Sequence, residues 1–309
     1  MGSFSEAQHL TDPVWLERLF TELAAQVPSP ALRDPHQAWQ QWFARDASLL
    51  PALPRMHWAL FGGGKAKQNG QSNQAVRLHL SFNLLEDKPA AAQITHGKIC
   101  ERKTWKTQWE RGAAYVGDRL YSEDYQGLRE LDARGCAYIV RLRDDAVVTV
   151  QEELPVTAAD RAAGVTRQAW VQLGRRACDR ITGVRVVWVQ SATAGELRLA
   201  TNLPVPEAPA ELVSVMYRRR WQIEGFFKWL KCLLGCRHWL AESQRGVTIQ
   251  LYLALIAAVL LQLALGQRPT KRMLELLRLY QLGWATLAEL TAGLAREHAR
   301  GKLRTSKKS

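Results

Sequence analysis

The sequence predicts an α/β fold that carries a β-rich insertion and ends in helices. Three patterns predict it: strand-like and helical segments alternate up to Leu142, strand-like segments alone run from about Asp144 to Pro209, and helical periodicity resumes from Glu207 onward. At 309 residues the chain has the length of one or two domains, and its 47% hydrophobic content is enough to bury a core without disulfides.

Charge and cysteine usage narrow the class further. The 42 Lys and Arg outweigh 29 Asp and Glu to leave a formal charge of +13, which makes a polyanion a natural partner, while the apolar content argues against intrinsic disorder. Five cysteines without a C-x-x-C pair argue against a disulfide scaffold or zinc finger and for a reducing cytoplasm. The first residues, MGSFSEAQHLTDPVW, lack the basic region and apolar run of a signal peptide. Val247 to Gly266 is apolar over about the length of a bilayer span. Gln250 and Gln262 interrupt it and it stands alone, so it is read as a buried core helix.

Taken in order, Pro13 to Gln26 has helical spacing with Asp12 as N-cap, and Pro28 to Pro35 breaks it. HQAWQQWFARDASLLPALP is a short ambiguous element ending in turns, a poor central strand because Ala44 and Arg45 precede Asp46. Gly62 to Gln74 is a polar loop without phosphate-loop spacing, and Val76 to Leu85 alternates as a strand. A charged helical patch around ICERKTWKTQW follows, then the apolar run AAYVG ending at Asp118. Beyond it Tyr125, Leu128 and Leu131 recur at helical spacing, with Ser122 the better-spaced cap, and Cys136 to Leu142 is a strand. The insertion holds VVTVQEE, QAWVQLG, GVRVVWVQ and GELRLATNL, with no convincing helix. ELVSVMYRRRWQIEGFFKWLKCLL, the apolar run, KRMLELLRLY and TLAELTAGLAREHA are helical, and GKLRTSKKS reads as a basic disordered tail.

The most informative segment is Y217-R-R-R220-W-Q-I-E224-G-F-F-K-W-L-K231. At about 100° per residue, Tyr217, Arg220, Glu224 and Lys231 fall within an arc of roughly 60°, so one face presents a carboxylate, an aromatic hydroxyl and two cations. The plain alternative is an amphipathic helix with an Arg220–Glu224 ion pair. Asp118 stands just past an apolar run, where α/β sheets place ligand-handling groups, unless it only caps the next helix. Asp46 is a third candidate. Three carboxylates from separate segments are able to hold two divalent cations about 3.5 to 4 Å apart, the arrangement that serves both oxygens of a phosphoryl transfer. Oxygen ligands favour Mg²⁺ or Mn²⁺ over Zn²⁺.

These residues carry a resemblance. Y-x2-R-x3-E-x6-K is the signature of bacterial insertion-sequence transposases with a DDE catalytic triad, and Tyr217, Arg220, Glu224 and Lys231 match it in full. A-Y-V-G-D118-R-L-Y resembles that family's second-Asp segment, and the β-rich stretch resembles the insertion before its catalytic Glu. The resemblance covers about Asp46 to Gly266. It implies a ribonuclease H-like core with Asp46, Asp118 and Glu224 as catalytic metal ligands, Mg²⁺ as the cofactor with Mn²⁺ able to substitute, and Tyr217, Arg220 and Lys231 positioning DNA. It further implies double-stranded DNA, both transposon ends and target, as partner, and a homodimer or larger assembly in the cytoplasm, associated with the nucleoid when DNA-bound.

On that basis the chain divides into a helical N-terminal region (1–43), the first part of the core (44–143), the insertion (144–206), the Glu helix with the buried core helix (207–266) and a helical C-terminal region with a basic tail (267–309). The region before Asp46 is shorter than the helical DNA-binding region of relatives. The rival expectations are therefore a truncated, catalytically inactive DNA-binding or inhibitory derivative, and a metal-dependent nuclease that cuts without joining. Cys232, Cys236 and His238 lack a fourth zinc ligand and read as packing residues. His79 points from a predicted strand and is able to lie near the catalytic sheet, with a satisfied structural histidine the simpler reading; His96, Glu101 and Arg102 lie in a polar segment able to approach DNA, with a solvated surface the simpler account. The tryptophans are read mostly as packing residues, with Trp221 and Trp229 able to touch bases.

Overall fold

Helix α1 (Pro13–Gln26) begins where it is capped: the Asp12 carboxylate accepts a hydrogen bond from the Val14 amide, with Pro13 opening the first turn. The structure, a computed structural model, describes residues 10–27, 39, 41–61, 74–106, 109–175, 180–234 and 239–306. The break at Pro28 to Pro35, the polar loop except Gln74, Cys236, His238 and the Cys232 side chain lie outside that description.

The chain next forms β1 (Gln41–Pro51), β2 (Ala75–Asn83), β3 (Lys88–His96), a short α2 (Glu101–Trp105), β4 (Ala113–Gly117), α3 (Tyr125–Ala133) and β5 (Ala137–Arg141). The insertion contributes β6 (Val148–Leu154), α4 (Ala158–Ala162), β7 (Val165–Leu173), β8 (Ile181–Ser191) and β9 (Gly195–Thr201). Helices α5 (Ala210–Arg219), α6 (Trp221–Leu234), α7 (Gln244–Leu265), α8 (Lys271–Gln281) and α9 (Leu287–Ser306) complete it. The described strands form one mixed, mostly antiparallel sheet in the order β3-β2-β1-β4-β5-β9-β8-β7-β6. β1 runs parallel to β4, and β4 parallel to β5; the other pairings are antiparallel.

Strand alternation sorts side chains onto two covered faces. Trp42, Ala44, Leu80, Phe82, Ala114 and Val116 pack on one side with Ile223, Phe226 and Leu230 of α6 and Leu255 of α7. Phe43, Tyr115, Tyr138 and Val140 pack on the other with Trp105, Leu128 and Leu131. Phe226 against Phe82, with ring centroids 5.7 Å apart, seats α6 on the sheet beside β2.

Several expectations need correction. Asp46 lies not in a short turn-ending element but within an 11-residue central strand, paired on both sides; Arg45 is accommodated because its guanidinium lies 5.3 Å from the Tyr115 ring centroid. β3 has no strand signature in the sequence because Lys, Pro and Ala are poor strand formers, and pairing to β2 overrides that propensity. The insertion continues the core sheet through β5–β9 pairing and contains the short helix α4, closed by a Thr157–Asp160 capping box. Asp124, not Ser122, caps α3 by accepting from the Gly127 amide. The long helix is divided at Arg220, where Arg220 N bonds to Tyr217 O and Ile223 N to Arg220 O, tightening the helix to i,i+3 bonds. Backbone helix continues through residues 301–306, where the composition predicts a disordered tail.

Helix α7 is long and apolar enough to cross a membrane, and it packs on α1 and β3. Its interruptions are used: Gln262 is buried and donates to Asp87 O, Gln250 accepts from the Leu240 amide, and Tyr252 donates to Ala92 O. Ser243 caps its start and Gly266, at φ 63°, ends it in the left-handed region that favours glycine. Leu255 is fully buried in this helix whereas Leu253 is 44% exposed. Leu255→Ala should lower unfolding free energy by about 2 to 5 kcal/mol and Leu253→Ala by about 0.5 kcal/mol or less, measured by urea denaturation of detergent-free protein. Equal effects would contradict a core helix.

Candidate active site

Two parallel strands bring the first two carboxylates to one end of the sheet. Ala44 on β1 pairs with Val116 on β4, so the next same-face positions along these strands are Asp46 and Asp118. Asp46 remains within β1, where its carboxylate accepts from the Ala47 amide at 2.8 Å. Asp118 follows the end of β4, and its carboxylate accepts from the Leu120 amide at 2.9 Å, starting the turn into a single 3-10 turn at Tyr121–Glu123. Asp118 thus shapes its loop without capping α3.

Glu224 arrives from above the sheet. Ile223 and Phe226 are fully buried, which fixes the roll of α6 and leaves Glu224 at the sheet end. Arg220, at the joint between α5 and α6, connects the carboxylates: its Nη2 donates to Glu224 Oε1 at 2.8 Å and its Nη1 lies 3.5 Å from Asp46 Oδ2. The Arg220 side chain is 8% exposed, against 20% for Asp46 and 27% for Glu224. Its guanidinium also lies 5.8 Å from the Tyr217 ring centroid and 5.6 Å from that of Trp221.

Burial raises the Asp46 carboxyl to about 6; Arg220 and the Ala47 amide oppose the rise, and the negative charges of Asp118 and Glu224 add to it. The three carboxylates therefore share one electrostatic neighbourhood. Among the described residues no three His, Cys, Asp or Glu side chains are gathered closely enough to hold a metal ion as they stand. Arg220 occupies the position between two of them. The donor set itself fits a hard divalent cation: carboxylate oxygens, half-buried and crowded with like charge.

The other expected residues fall around this centre. Tyr217 is buried, with burial raising its phenol pKa and Arg220 opposing that rise. Lys231 is exposed on α6, two turns beyond Glu224 or about 10 Å along the axis. Trp221 is exposed and Trp229 buried. Glu101, expected on a solvated surface, is instead only 14% exposed and ion-paired with Arg77 at 2.8 Å. Burial pushes its carboxyl up to about 7, the charges of Asp46 and Asp118 also raising it. The position of Glu101 depends on the pairing of β2 with β3, and no pattern in the sequence marks it. His79 is buried as expected, its ring nitrogens bonded to the hydroxyls of Thr95 and Thr104.

The chain belongs to the DDE transposase family of bacterial insertion sequences: the family described as "Transposase DDE domain" matches residues 40–260. Among its relatives are the probable transposase for insertion sequence element IS5377 of Geobacillus stearothermophilus, 26% identical over 67% of this chain and 52% of that one, and the putative transposase y4zB of Sinorhizobium fredii, 27% identical over 65% and 56%. A putative transposase for insertion sequence element IS4SA of Synechocystis is 36% identical over 28% of this chain and 27% of its own. The chain spans about half the length of the first two. A solved structure titled as a piggyBac transposase synaptic complex with hairpin DNA aligns over 85% of this chain and 56% of its own, with a TM-score of 0.41 and 10% identity.

His79 supplies a pH test of the packing beneath the site. Burial, and secondarily Arg77, lowers its pKa from 6.5 to about 4. A base depressed in the folded state contributes its full stability above the unfolded pKa and loses it as pH falls from 6.5 towards 4. Between pH 8 and pH 5 the native protein should lose about 2 kcal/mol more unfolding free energy than His79→Gln does. Parallel pH profiles in denaturant titrations would contradict this.

Proposed function

We propose that this chain is the catalytic part of a DNA transposase that cuts and joins DNA with divalent metal ions on a ribonuclease H-like core. The observation that carries the reading is the meeting of Asp46, Asp118 and Glu224 at one sheet end in a member of the DDE transposase family. The arrangement of β1 to β5 supports the core assignment: an antiparallel β3-β2-β1 half, then parallel β4 and β5, with Asp46 on β1 and Asp118 just past the end of the neighbouring parallel strand β4.

Asp46, Asp118 and Glu224 are the residues that would hold the metal, and their oxygen donors suit Mg²⁺, with Mn²⁺ able to substitute. When bound, a pair of such ions activates the attacking oxygen and stabilises the leaving oxygen. In the first reaction a water oxygen attacks the phosphate at the element's end and its P–O3′ bond breaks, freeing the element's 3′-OH; in the second that 3′-OH attacks a target phosphate, whose P–O3′ bond breaks so that a target 3′-OH leaves. The rigid central strand β1 and the seated helix α6 hold the carboxylates in place through both steps, so little reorganisation accompanies the change of nucleophile. Lys231, exposed beyond Glu224, meets the phosphate backbone, and Tyr217 braces Arg220. The partners are double-stranded DNA and, because two ends are joined, a second copy of the protein. The setting is the bacterial cytoplasm.

Glu224→Gln and Asp118→Asn each remove one negative charge at nearly constant volume. Each should lower Mg²⁺-dependent cleavage, and transfer of pre-cleaved ends, by more than ~100-fold, about 2.7 kcal/mol of barrier, while fold and most DNA affinity persist. Native-like rates for folded Glu224→Gln across a Mg²⁺ titration would overturn the mechanism. For Lys231→Ala, the plot of log affinity against log salt should lose about 0.9 of its slope, the share of one neutralised phosphate on duplex DNA. An unchanged slope would assign Lys231 to an ordinary solvated face.

A further inference from the structure

We propose that Arg220 is an exchangeable counter-ion: it neutralises Asp46 and Glu224 before DNA arrives, and gives them up to the metal when a DNA phosphate takes the guanidinium. The proposal rests on the metal-site reading above and adds an order of events to it.

Four observations carry it. The two amino groups of one guanidinium face different carboxylates, Nη2 bonding Glu224 Oε1 at 2.8 Å and Nη1 lying 3.5 Å from Asp46 Oδ2, so one side chain stands where a cation serving both would stand. The hold is incomplete: the Asp46 contact is long for a hydrogen bond, and the buried Arg220 Nε has no hydrogen-bond partner among the described residues. The side chain springs from the tightened joint between α5 and α6, where i,i+3 bonds make a helix easier to adjust than in its regular stretches. Its neighbour Trp221 is 60% exposed, so the guanidinium, 5.6 Å from that ring's centroid, lies beside a surface that DNA is able to reach.

A guanidinium and a divalent cation on the same oxygens repel each other, so binding of one weakens binding of the other. A phosphate offers Arg220 the same two-oxygen geometry as a carboxylate. DNA that draws Arg220 away leaves Asp46 and Glu224 short of positive charge and open to the ion. By linkage, the ion then strengthens DNA binding by the same factor. The chain thereby holds its metal ligands neutralised until substrate is engaged.

The test follows Mn²⁺ binding by the electron paramagnetic resonance signal of the free ion, using the full chain with and without a short DNA duplex of mixed sequence, since phosphate contacts do not depend on base sequence. Mn²⁺ bound by the DNA alone is subtracted with Glu224→Gln protein on the same duplex. Without DNA, Arg220→Gln should bind Mn²⁺ at least ~5-fold more tightly than the native protein; with DNA, the native protein should gain at least ~5-fold and Arg220→Gln should gain nothing. Weaker or equal binding by folded Arg220→Gln, or no gain on adding DNA to the native protein, would overturn the proposal. Should Arg220→Gln fail to fold, the native DNA arm still decides, joined by Arg220→Lys, whose single ammonium should give an intermediate affinity. Mn²⁺ binding without coupling defeats only this inference. No Mn²⁺ binding by either protein under any condition defeats the metal site itself.

Discussion

Carboxylates gathered at the half-buried end of a sheet repel one another and lose hydration, and a fold that gathers them must place a cation among them. Arg220 meets that requirement here. Its guanidinium is reached from the sheet by Asp46 and from the helix by Glu224, so it also ties α6 to β1 across an otherwise apolar interface. A second, half-buried cation works similarly on α6. Arg268 bonds to Asp87 in the β2–β3 turn and donates to Gln222 O, while lying 5.1 Å from the Phe82 ring centroid and 5.9 Å from that of Phe226. Between them the two arginines fix the height and roll of the helix that presents Glu224.

The insertion contributes to the same alignment from farther away. Asp160 closes the cap of α4 with one carboxylate oxygen and accepts from the Glu211 amide, in the first turn of α5, with the other. Arg185, fully buried on β8, donates to Ala208 O just before that helix. The start of α5 is therefore fastened to the insertion, and α6 to the core through Gln222 O, Phe226 and Leu230. The tightened joint at Arg220 lies between these two anchorages.

Much of this was legible in the sequence, and the parts that were not share a cause. The cap at Asp12, the apolar helix α7 and the face shared by Arg220 and Glu224 depend on residues a few positions apart, so spacing alone reveals them. β1 was obscured because its usefulness depends on partners: Arg45 is tolerable in a central strand only with Tyr115 beneath it, and Asp46 only with Arg220 above. The burial of Glu101 is hidden for the same reason, since Glu101 opens helix α2 while its partner Arg77 lies on strand β2, and its closeness to the aspartates arises from tertiary packing. The break at Arg220 carries no glycine or proline to announce it.

The joining of the insertion to the core sheet has a consequence for how the molecule is made. β5 (Ala137–Arg141) finds its second neighbour in β9 (Gly195–Thr201), and the strands between them form an antiparallel run β9-β8-β7-β6. Closing so long a connection costs entropy that only the completed meander offsets, and pairings this distant in sequence form slowly. During synthesis β5 therefore waits as an open sheet edge until residues near 200 have emerged, and α5 lacks its Asp160 anchor until α4 is in place. The helix bearing Glu224 docks after both aspartates have been positioned, so competence is acquired at the end of folding, and a chain interrupted within the meander is left with two of its three acids.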